Sequence, residues 1–127
     1  MIITKEILPL NIINQNGRSY TEKSIFDISR LNKKEFLGQI GHPYQNTESA
    51  LYVSHKISNI HISGSSVFGD IEPLDTPCGR ALMEILDDVV FRTRGVGHLN
   101  EVNEVTDFEI TGVDAIDKLN DSFKPKN

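Results

Sequence analysis

The fold class is decided by residues 51–71, LYVSHKISNIHISGSSVFGDI. Apolar and polar residues alternate over Leu51–Ile62, which is typical of a half-buried β-strand. The apolar phase shifts by one residue near Ser58-Asn59, which predicts a β-bulge. Ser63-Gly64-Ser65 then predicts a hairpin turn, and Val67–Ile71 predicts the returning strand. An antiparallel hairpin is therefore the centre of the predicted fold.

Shorter signals on both sides of this hairpin predict more strands and two helices. Met1–Leu8 is strand-like up to Pro9. Thr21 is a suitable N-cap for a helix over Glu22–Leu31, and Thr76-Pro77 predicts the start of a helix over Cys78–Asp87. The remaining predicted strands are Phe36–Gly41, Val89–Gly95, Val105–Ile110 and Val113–Ile116. We predict an α+β fold, a small closed or nearly closed β-barrel with the two helices packed outside it.

The phases of these elements also predict which side chains are buried. The expected core residues are Val53, Ile57, Ile60, Ile62, Val67, Ile71, Leu82, Ile85, Phe108 and Ile110.

Length and composition limit the class of protein. The chain has 127 residues, of which 38% are hydrophobic, and this suits one domain. We assign residues 1–121 to that domain and residues 122–127 to a short polar tail. Thirteen basic against 18 acidic residues give a net charge of −5, which argues against nucleic-acid binding. No apolar run approaches the roughly 20 residues of a membrane span, so we expect a soluble intracellular protein.

Cysteine and histidine usage argues against a metal or cofactor. The single cysteine, Cys78, excludes an internal disulfide and a cysteine-based zinc site. His42, His55, His61 and His98 show no ligand spacing on a predicted helix. We therefore predict neither a metal nor a cofactor.

Two of the histidines have specific contexts. His55 is in phase with the apolar residues Val53 and Ile57, which favours a buried, hydrogen-bonded core histidine over a ligand. His42 lies between Gly41 and Pro43, and a histidine held in such a constrained loop is positioned as a general base must be. The alternative for His42 is a turn histidine in solvent.

Residues 91–97, FRTRGVG, form the second candidate site. A strand that ends near two glycines can arrange backbone N–H groups into an oxyanion-binding loop, here Arg94, Gly95 and Gly97. Thr93 is the only hydroxyl in this segment, and a nucleophilic threonine needs an adjacent base and exposure. The alternative is an ordinary strand threonine between two solvated arginines.

Six segments, in this order, resemble the motifs of the prohead (capsid maturation) proteases of tailed bacteriophages, which have the herpesvirus assemblin-like fold. They are Asn16–Tyr20 (N-G-R-x-Y), Leu37–Pro43 (G-E-L-x-H-P), Val53–Ile57 (V-S-H-x-I), Leu74–Arg80 (L-x-T-P-x-G-x), Arg94–Gly97 (the end of S-S-R-G-x-G) and Gly112–Ile116 (G-V-D-A-V). The resemblance covers nearly the whole chain and implies that fold.

The resemblance implies His42 as the catalytic histidine, with Asp114 as an acidic candidate for the same site. It fails at the nucleophile, because the catalytic serine is the first Ser of S-S-R-G and this chain has Arg92 there. Thr93 falls on the second, non-catalytic Ser, and Gln39 replaces the Glu of the histidine box. A guanidinium stays protonated and cannot be a nucleophile.

These residues lead to one favoured function and two alternatives. The favoured function is a capsid-associated structural or assembly protein that has lost proteolysis, located in the virion or prohead in the infected bacterial cytoplasm. Its implied partners are phage capsid, scaffold or other virion proteins, in an oligomer or larger assembly. One alternative is an active prohead maturation protease that cleaves scaffold and capsid proteins, with Thr93 or another hydroxyl (Ser54, Ser65 or Ser66) as nucleophile and His42 as base. The other is an unrelated small β-barrel binding module.

Arg92 itself carries a structural expectation. A side chain at this position of the ancestral site would point toward the groove that receives substrate. We expect Arg92 to be at least partly buried and paired with a carboxylate, either Asp114 or Glu109 of this chain or one from a partner. The alternative is a solvated arginine at the end of a strand.

Overall fold

The described part of the chain, residues 1–41 and 52–126 of a computed structural model, contains six strands and two α-helices. The strands are β1 (Ile3–Pro9), β2 (Phe36–Gln39), β3 (Val53–Ser63), β4 (Ser66–Pro73), β5 (Val89–Leu99) and β6 (Val105–Asp117). The helices are α1 (Ile28–Leu31) and α2 (Pro77–Ile85). Single 3-10 turns lie at Glu22–Ser24, Leu86–Asp88 and Lys118–Asn120. The predicted mixed α+β class is confirmed, and none of the helices described here is long and apolar enough to cross a membrane.

The central hairpin forms as its sequence predicts. β3 and β4 pair antiparallel, and the register shifts between Ser58 and His61. Asn59 lies inside this bulge with a φ of 51°, a left-handed conformation that asparagine tolerates better than most residues. Gly64 turns the chain at a φ of 61°. The bulge and the turn are therefore both local features, set by residues next to them in sequence.

The strands form two hydrogen-bonded sheets, in the orders β1-β4-β3-β2 and β5-β6. The closed barrel of the prediction is not found among the residues that the structure describes. One seam between the sheets carries a single bridge, Ile40 to Ala115, with the Gly41 amide donating to the Ala115 carbonyl at 2.7 Å. At the other seam, the Arg92 side chain on β5 donates to the Glu6 carbonyl on β1 at 3.2 Å. A side chain thus joins β1 and β5 at this point.

The predicted helix over Glu22–Leu31 is wrong as one element. The 3-10 turn at Glu22–Ser24 begins after Thr21 as expected, but Ile25 is extended and forms a parallel bridge with Phe108 of β6. Asp27 then takes a left-handed φ of 55°, and only the four residues of α1 follow as helix. Pairing with β6 therefore overrides the helical pattern of this segment.

Helix α2 begins as predicted, although it ends at Ile85. Thr76 Oγ1 accepts a hydrogen bond from the Gly79 amide at 2.9 Å and donates to the Val53 carbonyl at 2.7 Å. Pro77 occupies the first turn, where its missing N–H has no cost. The cap thus fixes the helix start and attaches it to β3.

The core lies between the two sheets and under α2. Eight of the ten predicted core residues are buried, and Ile62 and Ile85 are partly buried at its margin. The expected tail, residues 122–127, contacts the body along its described part, because Phe123 packs against the core and Pro125 bridges to Asn14.

The burial of Ile57 gives a stability prediction. Its side chain is fully buried, so Ile57→Ala should lower the free energy of unfolding by about 2–5 kcal/mol through lost transfer energy and the cavity left behind. Urea unfolding measures this loss. Ile2→Ala is the matched control because Ile2 is 61% exposed, and it should change stability by about 0.5 kcal/mol or less. Equal effects of the two substitutions would contradict the core assignment.

Candidate functional site

His55 lies at the point where β2, β3 and β6 meet, and its side chain is fully buried. Its Nε2 lies 2.7 Å from the Val113 carbonyl oxygen, which can only accept, so Nε2 carries the proton. Nδ1 therefore accepts from Ser54 Oγ at 2.6 Å. The Phe91 ring packs edge-on at 5.2 Å between centroids. The expectation of a buried, hydrogen-bonded core histidine is confirmed.

Gly38 allows β2 to pass directly over this imidazole. A Cβ on Gly38 would collide with the Val113 carbonyl oxygen and with His55 Nε2. Only glycine permits so close an approach. The glycine of the histidine box therefore has a packing role here, three residues before Gly41.

Burial lowers the pKa of His55 below its usual value, because a charged imidazolium is poorly solvated in the core. The hydrogen bond to the Val113 carbonyl and the negative charge of Asp114 act in the opposite direction but do not reverse the shift. The site therefore favours the neutral histidine.

Asp114 is fully buried beside this histidine and links three strands. One carboxylate oxygen accepts from the Gln39 amide at 3.2 Å, and the other accepts from Arg94 Nε at 2.9 Å. The Arg94 guanidinium lies where Gly112 has no side chain, since a Cβ there would collide with it. The motif residues of β2, β5 and β6 thus converge on one carboxylate.

Gly41 leads into the predicted catalytic histidine. It takes a φ of 79° and is attached to Ala115, the neighbour of Asp114, through its amide. His42 lies outside the described residues, so its role as a general base stays a prediction.

Arg92 is 7% exposed and forms four hydrogen bonds. Its Nε and Nη2 donate to the two carboxylate oxygens of Asp121 at 3.1 and 2.9 Å. Its Nη1 donates to the carbonyls of Glu6 and Phe91 at 3.2 and 3.1 Å, and lies 3.4 Å from the Glu6 carboxylate. Each of the three guanidinium nitrogens therefore donates to an acceptor of the protein.

The partners of Arg92 differ from those expected. The structure pairs Arg92 with Asp121 and Glu6. The expected partner Asp114 pairs with Arg94 instead. The other expected partner, Glu109, lies farther along the β5–β6 hairpin, opposite Val96. Arg92 and Asp114 do lie opposite each other in the β5–β6 ladder, as the order of the motifs suggests. No local pattern singles out Asp121, because it lies 29 residues away in the segment that precedes the expected tail.

Thr93 lies on the face of β5 opposite Arg92 and is 2% exposed. Its Oγ1 is buried and has no hydrogen-bond partner among the described residues. A nucleophilic hydroxyl needs a base within about 3.2 Å and access for substrate. Neither is provided by the part of the chain described here, so Thr93 as nucleophile stays a prediction.

Gly95 and Gly97 lie within β5, which continues to Leu99, rather than in a loop after the strand. Bulges in the ladder bring β6 close at this point, and a Cβ on Gly95 would collide with the Glu109 carbonyl oxygen. Close packing thus accounts for the glycines. An oxyanion site at Arg94, Gly95 and Gly97 stays a prediction.

The serine alternatives Ser54, Ser65 and Ser66 lie on the central hairpin, and Ser66 shares the Glu6 carboxylate with Arg92. Ser54 Oγ is fully buried against His55, and Ser66 Oγ donates to the Glu6 carboxylate at the far end of the central hairpin. No group of three or more histidine, cysteine, aspartate or glutamate residues in the described ranges is arranged to hold a metal ion.

The lowered pKa of His55 predicts a pH dependence of stability. The unfolded chain takes up this proton near pH 6.5 and the folded chain does so only at lower pH, so the folded state loses stability as pH falls below about 6.5. One such group contributes at most about 1.4 kcal/mol per pH unit.

Urea unfolding between pH 7 and 5 should show a smaller pH slope of the free energy of unfolding for His55→Gln than for the wild type. His98→Gln, at an exposed position of β5, is the matched control. Equal slopes in all three proteins would contradict the buried neutral imidazole.

Comparison with known proteins gives a likeness at the level of structure. No protein-family model and no curated protein matches the chain. Among solved structures, the chain is similar to the capsid assembly protease gp21 of bacteriophage T4, with a TM-score of 0.72 and 21% sequence identity. The match covers 91% of this chain and 80% of that one. The fold is therefore like that of this capsid assembly protease.

Proposed function

We propose that this chain is a phage capsid assembly protein built on the fold of a prohead maturation protease, and that it does not cleave peptides. The likeness to a capsid assembly protease supports an assembly role in the prohead or virion, with capsid or scaffold proteins as partners. A fold does not by itself transfer an activity. The loss of cleavage is argued from the residues.

The observation that carries this proposal is the state of Arg92. The resemblance places Arg92 where the proteases have their nucleophilic serine. Here that position holds a buried guanidinium, bound bidentately by Asp121 and also by the Glu6 carbonyl. A side chain fixed in this way has a structural role and offers no nucleophile.

The neighbouring hydroxyl is the observation that favours the alternative of an active protease. Buried hydroxyls almost always have a partner, and Thr93 Oγ1 lacks one among the described residues. A base contributed by His42 would activate it. Against this, Thr93 is 2% exposed and points into the core between the sheets, on the face of β5 that carries Phe91. A peptide bond has no access to a hydroxyl buried in this way, so we favour the inactive assembly protein.

Thr93→Val separates the two functions because it removes the hydroxyl and keeps the shape of the side chain. For an inactive protein, the wild type cleaves neither scaffold nor capsid protein and does not react with serine-directed phosphonates. Thr93→Val should then raise the free energy of unfolding by about 1 kcal/mol, since an unpaired buried hydroxyl is removed.

Thr111→Val is the matched control for that substitution. Thr111 is exposed and its hydroxyl donates to the Arg94 carbonyl at 3.1 Å, so this change should leave stability equal or slightly lower. Peptide cleavage or phosphonate labelling by the wild type that Thr93→Val abolishes would overturn the proposed loss of activity.

A further inference from the structure

The segment after β6, residues 121–126, lies on the body of the protein like a bound peptide. Its first residue, Asp121, is 6% exposed and places both carboxylate oxygens on the Arg92 guanidinium. The Phe123 amide donates to Asp121 Oδ1 at 3.0 Å, which fixes the carboxylate relative to the chain that follows. This ion pair is one anchor of the segment.

An aromatic ring forms the second anchor. Phe123 stacks on Tyr20 at 6.0 Å between centroids, with 20° between the planes. Tyr20 in turn contacts Phe108 of β6 edge-on at 5.1 Å. The two anchors are two residues apart, so the segment presents an Asp-Ser-Phe pattern to the body.

Backbone pairing holds the remainder of the segment against residues 13–15. The Gln15 amide donates to the Ser122 carbonyl at 3.1 Å, and the Lys126 amide donates to the Ile13 carbonyl at 2.8 Å. Gln15 Nε2 also donates to the Pro125 carbonyl at 2.7 Å. Strand-like pairing with side-chain anchors is the way in which proteins bind extended peptides. We call this surface, made of Arg92, Tyr20 and residues 13–15, the segment groove.

The connection between β6 and the segment is exposed. Residues 117–120 all face solvent, and Leu119 is 85% exposed. The turn is capped within itself, because the Leu119 amide donates to Asp117 Oδ1 at 2.9 Å. The connection can therefore change conformation without exposing a buried side chain.

We propose that residues 121–126 exchange between copies of this chain, so that the segment of one copy occupies the segment groove of a second copy. The contacts are the same within one chain and between chains, so exchange needs no new interaction. When its own segment leaves, the buried Arg92 loses its bidentate carboxylate and keeps only the contact with Glu6, and the Asp121 of another copy restores the pair together with the matching aromatic anchor and backbone. The short connection keeps the segment at an effective concentration of millimolar order at its own groove. Exchange is therefore favoured where the chain itself is packed at a millimolar concentration.

Deletion of Lys118 and Leu119 tests this exchange in the otherwise complete chain. The loss of two residues removes the turn and shortens the maximal reach of the connection by about 7 Å, which disfavours occupation of its own groove by the segment. The deletion variant should form dimers or larger open chains in light scattering, at a concentration where the wild type does not.

Insertion of two glycines after Leu119 is the control and should leave the mass equal to that of the wild type. Asp121→Asn in the deletion background should weaken the association at least tenfold. The proposal would be overturned by a folded deletion variant that stays monomeric. It would also be overturned if Asp121→Asn left the association of the deletion variant unchanged.

A mixing experiment keeps the test decisive if the deletion variant does not fold. Full-length Arg92→Gln lacks the receptor for the carboxylate, and full-length Asp121→Asn lacks the carboxylate. In the mixture, exchange places the Asp121 of the first protein on the Arg92 of the second and restores one complete pair. Native mass spectrometry should show a heterodimer in the mixture and no comparable homodimer of either variant. A mixture that contains only the species of its two components would contradict exchange.

Discussion

The ion pair between Arg92 and Asp121 connects parts of the chain that the backbone ladders do not connect. Arg92 belongs to β5, and its guanidinium reaches the Glu6 carbonyl on β1 and the carboxylate of a segment beyond β6. One side chain therefore contributes both to the seam between β1 and β5 and to the position of residues 121–126, which Phe123 and backbone pairing also hold. A buried charge is tolerated only when fixed acceptors surround it, and this is the arrangement found at Arg92.

The opposite seam combines close backbone approach with the Asp114 carboxylate, which accepts from the Gln39 amide. Gly38 lets β2 lie against His55 and the Val113 carbonyl, and the bridge from Ile40 to Ala115 continues this contact. Asp114 lies beside it and binds Arg94. Residues that resemble protease motifs thus hold two sheets together. In the proposed assembly protein, Arg92, which the sequence resemblance aligns with the protease serine, belongs to the same framework.

The sequence predicts local structure well and long-range pairing poorly. The bulge at Asn59 and the capped start of α2 are determined by adjacent residues, and both are confirmed. The helix predicted over Glu22–Leu31 fails because Ile25 pairs with β6, which its helical spacing does not reveal. The sequence does not predict Asp121 as the partner of Arg92 for the same reason, since the polar residues after it are typical of a tail. The expectation that Arg92 is buried beside a carboxylate came from the sequence resemblance. The fold identifies that carboxylate as Asp121.

In the proposed function Arg92 is a structural residue that needs Asp121, and a double-mutant cycle measures this dependence most directly. Arg92→Leu leaves the buried Asp121 carboxylate without its cation, and Asp121→Leu leaves Arg92 with Glu6 as its remaining acidic partner. The double variant removes both charges of the pair together. Urea unfolding of the four proteins should give a coupling energy of about 2–3 kcal/mol, with the double variant more stable than the sum of the single losses predicts. Additive losses, with a coupling within about 0.5 kcal/mol of zero, would contradict the account.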